Sequence, residues 1–486
     1  MRPERRTVRD VRKGNRAMLL RTLYFNGPVT RNELTRLTGL SAATVSSMTG
    51  DLLAENIVVE AGQAESDGGR PRAILRVNPV YGHVVGVDVA ETHVRVELFD
   101  LEMNELARVE YALRPAGHQI ELVVRHILAG VEVVLGDAGV PARQTLGVGV
   151  GVPGIVEDGP DALIHTRTFG WDGVPMGALL RAGTTLPLFV ENGAKALGRA
   201  ELWPDPRRRG HGGAQGRDGT SRGSGGPGPG PGPGHGSGVT ARGVTGAGPG
   251  SGSSGHGPAG PAGLGVPGVP GVPGGQAGSG GPAGSGVPGV PGRGGGGAGR
   301  GSGDAVIVLI GSGVGAAIVS DNTTFRGVSS SAGEWGHTKI VVNGRTCRCG
   351  GRGCLEAYIG AEGILDRAGV PTRTADWQAE LAALVESGSP VIAETVTYLG
   401  VGLSNLINLI NPERIVIGGW LGLLLGRYLL DDIRAASAEN SLPRPYAATS
   451  IVLGRLGPDA VAHGAATLVL DEFLNAHPAA RIPAPR

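Results

Sequence analysis

The chain has 486 residues, and its 44 Lys and Arg residues nearly balance its 43 Asp and Glu residues, for a formal net charge of +1. This length suits two or three domains, and the balance excludes a protein that binds polyanions with its whole surface. There is no apolar run of about 18 residues and no secretory signal, which predicts a cytoplasmic protein without a membrane span. All three cysteines lie between positions 347 and 354, so a disulfide framework is not expected.

The first 80 residues carry a local excess of basic side chains, 13 Lys and Arg against 8 Asp and Glu. A first helix with Leu19 and Leu23 on its inner face ends at "NGP" (26–28). "TRNE" (30–33) is a capping box that opens a second helix, Gly39 bends the chain, and Ser41 caps a third helix. Two short helices joined by a tight glycine turn predict a helix-turn-helix.

The outer face of the third helix has no acidic residue, and its small side chains can approach phosphates and base edges closely. That predicted face consists of Ala42, Ala43, Thr44, Ser46, Ser47 and Thr49. Residues 56–60 and 72–77 predict a hairpin whose loop, "GGRPR" (68–72), suits a basic wing tip in the minor groove.

We therefore predict a winged helix-turn-helix domain over residues 1–80 that binds double-stranded DNA. A small three-helix domain for protein interactions is the alternative. The candidate DNA-binding residues are Ser41, Ala42, Thr44, Ser46, Arg70 and Arg72.

Residues 81–205 predict a first α/β lobe. "HVVGVDVAETHVRVELFD" (83–100) has the pattern of a strand, a turn and a second strand, and "TLGVGVGVPGIVED" (145–158) begins as a buried strand. At 189–198, "FVENGAKALG" predicts a strand end followed by polar side chains and an Ala-rich helix. Polar groups at such strand ends often line a ligand crevice.

Residues 206–303 are almost entirely Gly, Pro, Ser and Ala with scattered Arg and His. Repeats such as "VPGVPGVPG" cannot bury a core, so this insertion is predicted to be disordered. A long surface loop costs little additional closure entropy, about 0.6 kcal/mol for each doubling. A tolerated insertion in a surface loop is the simplest interpretation, and the alternative is a role in phase separation or in binding a partner.

The pattern of the first lobe recurs in residues 304–486. "DAVIVLIGSGVGAAIVSD" (304–321) has an apolar strand, the glycine turn "GSGVG" (311–315) and a second strand. Such a repeat in both halves suggests a duplicated α/β domain with a nucleotide or sugar cleft between two lobes. The glycine turn alone is weak support for a phosphate loop.

His337, Cys347, Cys349 and Cys354 lie within 18 residues, and they include every cysteine of the chain. Three thiolates and an imidazole at this spacing can close a tetrahedral Zn²⁺ site. Because four protein ligands leave no open position, the predicted zinc is structural. Reduced thiols without a metal are the alternative.

Several motifs together resemble the ROK family of repressors and sugar kinases, in its repressor form. They run in the family's order and cover nearly all of the chain outside the insertion: "GVPGIVE" (151–157), "FGWDGVP" (169–175), "FVEN" (189–192), "FRGVSSSAGEWGH" (325–337), "CRCGGRGCLE" (347–356) and "NLINLINPERIVIGG" (405–419). The resemblance implies an actin-like (ribonuclease H-like) two-lobed α/β fold, here preceded by the α+β winged helix-turn-helix domain, and a homodimer or homotetramer.

The resemblance also implies a sugar site. The family holds its sugar with residues that correspond here to Asn192, Glu334, His337 and Glu356. Amides and carboxylates suit sugar hydroxyls, and a His bound to zinc through one nitrogen can offer its other N–H to a ligand.

Three departures from the kinase pattern predict that the chain is not an enzyme. The catalytic base of the kinases corresponds to Gly193, which has no proton acceptor. The first phosphate loop has lost its glycines, and Glu91 would bring negative charge toward phosphates. Trp420 stands near the adenine site, where a small residue is usual.

We therefore predict a sequence-specific transcriptional regulator, a repressor of carbohydrate-metabolism genes that responds to a sugar or sugar phosphate. Lys195 would suit a phosphate group if it points into the cleft. The alternatives are an ATP-dependent sugar kinase with a DNA-binding domain, and a DNA-binding protein whose lobes bind no ligand.

Overall fold

A computed structural model describes residues 7–64, 71–113, 118–204, 303–321, 323–371 and 377–475. All of them belong to one of the two compact units of the chain, formed by residues 1–214 and 298–486. Arg70, and the predicted insertion apart from its last residue, Gly303, lie outside the described residues.

The N-terminal domain consists of three helices and a small antiparallel sheet with strand order β1-β3-β2. Helix α2 begins with the Thr30–Glu33 capping box and ends at Gly39, whose φ of 69° is left-handed. The Ser41 side chain accepts a hydrogen bond from the Thr44 amide at the start of α3. The elements are α1 (Val8–Asn26), β1 (Val29–Thr30), α2 (Arg31–Thr38), α3 (Ala42–Ala54), β2 (Val58–Ala64) and β3 (Arg72–Val77).

Leu19 and Leu23 on the predicted inner face of α1 are buried, as is Leu34 of α2, whereas Leu37, also predicted to face inward, is 41% exposed. The prediction that Thr49 lies on the outer face of α3 is also wrong. Thr49 is fully buried, whereas Ser46 and Ser47 on the same helix are exposed. Its hydroxyl donates to the Val45 carbonyl oxygen at 2.8 Å and accepts from Arg31 Nε at 3.1 Å. Because these two bonds satisfy the hydroxyl inside the domain, Thr49 lies in the core.

Lobe 1 has a five-stranded sheet with strand order β11-β7-β4-β5-β6, in which β4 pairs antiparallel with β5 and parallel with β7. A separate three-stranded sheet has the strand order β10-β9-β8. The elements are β4 (His83–Val89), β5 (His93–Asp100), β6 (Glu105–Ala112), α4 (Ile120–Asp137), β7 (Thr145–Val152), β8 (Ile155–Val156), β9 (Leu163–Thr166), β10 (Trp171–Pro175), α5 (Met176–Arg181), β11 (Leu188–Asn192) and α6 (Gly193–Leu202).

Lobe 2 repeats this arrangement with strand order β14-β13-β12-β15-β16. Here β12 pairs antiparallel with β13 and parallel with β15, as β4 does with β5 and β7. The predicted duplication is therefore present. The elements are β12 (Ala305–Ile310), β13 (Val314–Ser320), β14 (Thr323–Thr324), α7 (Glu356–Ile359), α8 (Ala361–Ala368), α9 (Trp377–Glu386), α10 (Pro390–Ile410), β15 (Arg414–Gly418), α11 (Trp420–Asn440), α12 (Pro443–Ala448) and β16 (Ser450–Leu453).

The last described helix, α13 (Ala460–Asn475), follows lobe 2 in sequence but packs on the lobe 1 sheet, against β4 and β7. Glycines make this contact close. A Cβ at Gly86 would overlap the Ala462 carbonyl oxygen, and one at Gly149 would overlap that of Ala465. Chain order alone places this helix with lobe 2, because a crossover between lobes leaves no local signal.

Helix α10 meets the length and hydropathy criteria for a membrane span, which the sequence reading did not identify. Its 18-residue apolar window is 56% buried within the protein. Leu399, Leu403 and Ile407 belong to the lobe 2 core, together with residues of α7, α8 and α11. These contacts are those of a central core helix.

Candidate ligand cleft and metal centre

A cavity of about 1050 Å³ lies between the two lobes, at the turns that follow β4, β11 and β12. Carboxyl ends of neighbouring strands in each sheet meet at this edge, which is where open α/β sheets bind ligands. Both lobes contribute polar side chains to the lining. They include Asp88, Glu91, Asn192, Glu334, His337, Arg348 and Glu356.

Asn192 and Gly193 form the lobe 1 wall at the start of α6. The side-chain Oδ1 of Asn192 accepts a hydrogen bond from the Lys195 backbone amide at 3.1 Å, and its Nδ2 donates to the Gly154 carbonyl oxygen at 2.6 Å. The side chain thus caps the helix while one N–H and one lone pair remain for a ligand. At Gly193 a Cβ would meet only the Val152 carbonyl oxygen at 3.6 Å and Val461 at 3.8 Å, so packing does not require glycine here.

Glu334 and His337 line the cavity from lobe 2. Glu334 precedes the short 3₁₀ turn Trp335–His337, and His337 is its last residue. The His337 Nε2 lies 3.9 Å from the Glu334 carboxylate, and its Nδ1 lies 3.8 Å from the Cys347 sulfur. Burial raises the pKa of Glu334, and the nearby His337 and Lys195 oppose this rise. The imidazole therefore links the cavity to the cysteine cluster.

The ligand atoms of His337, Cys347, Cys349 and Cys354 all lie within 4.8 Å of one another. The sulfurs of Cys349 and Cys354 are 3.7 Å apart. Two sulfurs bound to one tetrahedral ion at 2.3 Å are separated by about 3.8 Å. The donor set and its spacing are therefore compatible with a tetrahedral metal site.

The surroundings of the cluster favour the thiolate at Cys349 and disfavour it at Cys347. Lys339 Nζ lies 2.8 Å from the Cys354 sulfur, and the Gly351 amide donates to the Cys349 sulfur at 3.4 Å. Burial raises the pKa of Cys347. At Cys349 burial is outweighed by hydrogen bonds to the thiolate and by Lys339, and the pKa is lowered. Metal binding would displace the thiol protons, so affinity should rise with pH.

Arg348, between two of the cysteines, bridges the lobes. Its Nη1 donates to Glu91 of lobe 1 at 2.8 Å, and its Nε donates to Glu356 of lobe 2 at 3.0 Å. Glu91 was expected to bring negative charge toward phosphates, and in the structure Arg348 pairs with that charge. Burial raises the pKa of Glu91, and Arg348 opposes this rise.

A second set of interlobe contacts lies beside Asn192. Arg326 of lobe 2 pairs with Glu191 and Asp158 of lobe 1. Lys195 is buried, and its Nζ donates to the Ser330 carbonyl oxygen. Lys195 is not among the cavity-lining residues, so the condition for its binding a phosphate group is not met. Burial lowers its pKa, with Glu191 acting in the opposite direction.

Trp420 is the first residue of α11 and lines the cavity at its other end. Its ring stands edge-to-face with Trp377, 5.5 Å between centroids. A Cβ at Gly311 would lie 3.1 Å from the Trp420 Nε1, so the indole covers the glycine turn closely.

Most of the candidate DNA-binding residues lie on the outer side of the N-terminal domain. Ser41, Ala42 and Ser46 are exposed, and Thr44 is half-buried, with its hydroxyl hydrogen-bonded to that of Ser41. Arg72 is exposed at the start of β3, beside the hairpin loop.

The family profile of the ROK family matches residues 84–209 and 296–472, well over half of the chain. The chain belongs to the ROK family. A xylose repressor from Caldicellulosiruptor bescii is 24% identical over 478 residues, which cover 95% of this chain and 96% of that protein. A glucokinase from Halalkalibacterium halodurans is 33% identical over 189 residues, 35% of this chain and 57% of that enzyme.

A solved structure has the same fold. The crystal structure of a ROK family transcriptional regulator, a homolog of the E. coli MLC protein, aligns with 96% of this chain and 97% of its own, at a TM-score of 0.62 and 19% identity. The predicted actin-like, two-lobed α/β fold is thereby confirmed.

Within this ROK fold, α6 and α13 both run from the cavity to the N-terminal domain. Val461 of α13 lines the cavity, and Asp471 near its other end pairs with Arg21 of α1. Trp203, just after α6, lies 5.1 Å from the ring of Phe25. The core of the N-terminal domain is continuous with these helices through Trp203, Leu470, Phe473 and Leu474.

The roles of Arg348, Arg326 and this pair of helices were not predicted from the sequence. Arg348 carried one signal, a charged side chain fixed between two predicted metal ligands. No sequence signal marked Arg326 or α13, because the residues that they contact are more than 100 positions away in the chain.

Proposed function

We propose that this chain is a sequence-specific DNA-binding repressor of carbohydrate-metabolism genes, and that a sugar bound between the lobes controls it. The observation that carries the proposal is the continuity of the helix-turn-helix core with α6 and α13, which both begin in the cavity. Relatives named as xylose repressors, matched over nearly their whole length, support it.

The exposed side of α3 is the surface that we assign to the major groove. Ser41, Ala42, Thr44 and Ser46 would approach bases and phosphates there, and Arg70 and Arg72 would enter the minor groove. Small side chains permit close approach, and α3 has no acidic residue in its first turn to repel phosphate.

We assign the sugar to the part of the cavity lined by Asn192, Glu334, His337 and Glu356. Amide and carboxylate groups there can exchange hydrogen bonds with several hydroxyls. Because Lys195 is turned away from the cavity, a neutral sugar fits this lining better than a sugar phosphate.

The same cavity lacks parts that phosphoryl transfer needs. Gly193 offers no base for a sugar hydroxyl. The Glu91–Arg348 pair lies over Gly313 in the glycine turn of lobe 2, and Trp420 covers Gly311. We infer that the chain binds a sugar without phosphorylating it.

The metal site, the assembly and the location complete the proposal. We assign a structural Zn²⁺ to His337, Cys347, Cys349 and Cys354, because four ligands leave no coordination position open. A cytoplasmic homodimer or homotetramer would present two α3 helices to the half-sites of an operator.

The test begins by mapping the genomic DNA that the full-length protein binds and measuring fluorescence anisotropy on the strongest site. D-Xylose is the first sugar to titrate, followed by other pentoses and hexoses with their phosphates. We expect one neutral sugar to change operator affinity about five- to 150-fold. Ser46→Glu should abolish binding to the site, whereas Val133→Glu, an exposed change in lobe 1, should not.

The glucokinase match keeps a sugar kinase as the second candidate. A coupled assay of ATP consumption over the same sugars separates the two, since sugar-dependent turnover would refute a regulator without enzymatic activity. Operator binding that no sugar alters would instead indicate lobes that bind no effector.

A further inference from the structure

The bridge formed by Glu91, Arg348 and Glu356 closes the cavity at the glycine turn of lobe 2. Arg348 uses separate nitrogens for its two partners, Nη1 to Glu91 at 2.8 Å and Nε to Glu356 at 3.0 Å. Glu91 follows β4 in lobe 1, whereas the other two residues belong to lobe 2. One guanidinium therefore joins the two lobes.

The members of the bridge are held in place and largely removed from water. The side chains of Glu91, Arg348 and Glu356 are 16%, 21% and 8% exposed. The second Glu356 oxygen accepts from the Val314 amide at 2.9 Å. His118 Nε2 donates to the Glu91 carbonyl oxygen at 2.7 Å. Since each partner is anchored in its own lobe, the bridge resists separation of the lobes.

The guanidinium lies where a glycine turn exposes its backbone. A Cβ on Gly313 would be 3.1 Å from Arg348 Nη2, 3.7 Å from Glu356 and 4.0 Å from Glu91. Glycine turns after a strand allow phosphate groups to approach the backbone. Here the space above Gly313 is already filled by three charged side chains of the protein.

The charges of the bridge depend on one another. Removing the Glu91 carboxylate would leave the partly buried Arg348 guanidinium with Glu356 as its strong partner in lobe 2. Among the described residues it would have no comparable partner in lobe 1. The loss of one member of a partly desolvated pair costs far more than the loss of an exposed pair. The bridge thus favours the closed arrangement of the lobes.

We propose that the Glu91–Arg348–Glu356 bridge is an internal latch that occupies the place of nucleotide phosphates at Gly313 and ties lobe 1 to lobe 2 without any nucleotide. This inference concerns the lobes themselves, and it holds whether or not the chain regulates transcription.

The distance between the lobes tests the latch directly. Spin labels on non-natural amino acids at Glu132 of α4 and Glu439 of α11, both exposed, leave the native cysteines untouched. Labelled chains are diluted with unlabelled ones, so that only distances within a chain are measured by pulsed electron paramagnetic resonance. In Glu91→Gln we expect the population of longer distances to increase about five- to thirtyfold.

Glu362→Gln is the matched control. Glu362 lies 4.0 Å from Arg348 but belongs to lobe 2 and is half exposed, so it does not cross the cleft. Its distance distribution should equal that of the unmodified protein. Equal distributions in Glu91→Gln and the unmodified protein would overturn the latch, as would the same opening in both variants.

Nucleotide binding is the second test. Calorimetry with magnesium AMP-PNP at millimolar concentration should show no saturable binding to the full chain. Saturable binding of AMP-PNP would overturn the proposal, because its phosphates and Arg348 cannot occupy the space above Gly313 together.

Discussion

Glu97 of β5 is a buried acid that no described side chain compensates fully. Its side chain is 1% exposed, and neither carboxylate oxygen has a hydrogen-bond partner among the described residues. Burial, helped by Asp459 and Glu105 and opposed by Arg95 and Arg108, raises its pKa from the ordinary 4.5 to about 8. It is therefore protonated in the folded protein at neutral pH.

This shift predicts a pH-dependent stability. Between about pH 4.5 and 8 the folded state binds the Glu97 proton and the unfolded state does not, so the free energy of unfolding falls as pH rises. The limit is about 1.4 kcal/mol per pH unit. Glu97→Gln should flatten this slope in urea unfolding from pH 5 to 9. The exposed Glu132→Gln should keep it, and an unchanged slope in Glu97→Gln would contradict the assignment.

Gly193 gives a second prediction at the scale of one residue. Gly193→Asp should fold with an unchanged melting temperature, because its Cβ meets only ordinary contacts and its carboxylate lies at a helix N-terminus. It should not consume ATP with any sugar, since Glu91, Arg348 and Trp420 still obstruct the nucleotide end. Turnover would show that Gly193 alone had removed kinase activity.

Gly198, in the same helix, is the control for this substitution. A Cβ there would lie 2.5 Å from that of Ala317, so Gly198→Ala should lower stability by about 1–3 kcal/mol. Of the two glycines of α6, Gly193 has room for a side chain, whereas Gly198 does not.

At the scale of elements, we predict that the loop from His337 to Cys354 is held by a metal ion bound to the four proposed ligands. Cys349→Ser should lose the metal, measured by mass spectrometry of the purified protein, and lobe 2 should unfold at a lower temperature. Lys339→Gln should retain the metal with about 10- to 100-fold weaker affinity, because Lys339 supports the Cys354 thiolate without binding the ion. Equal metal content in Cys349→Ser and the unmodified chain would refute the site.

Local sequence signals correctly predicted the start and end of α2 and the start of α3 in the N-terminal domain. The Thr30–Glu33 box, the Gly39 bend and the Ser41 cap are all present, because capping involves residues three apart. The side of a helix that is buried depends on its neighbours, and for that reason Thr49 was misplaced.

At the scale of the molecule, α13 should carry the response from cavity to DNA. Arg21→Gln removes the ion pair with Asp471 and should bring the ratio of operator affinities with and without sugar toward 1. Sugar affinity itself should not change. Arg181→Gln, which removes an exposed pair with Asp161 in lobe 1, should leave the ratio intact. An unaltered ratio in Arg21→Gln would exclude this pair from the route.

The sequence by itself predicted the order of domains, the duplicated strand–turn–strand units and the cluster of His337 with three cysteines, and the family resemblance added the position where a kinase base is absent. Each of these features involves residues that lie close together in the chain, so residue type and spacing are enough to predict it. Tertiary structure alone decided that Arg348 meets Glu91, that Lys195 turns away from the cavity and that α13 joins the cleft to the N-terminal domain. Each of these depends on residues far apart in sequence, whose charges are balanced or left unpaired only once both lobes have folded.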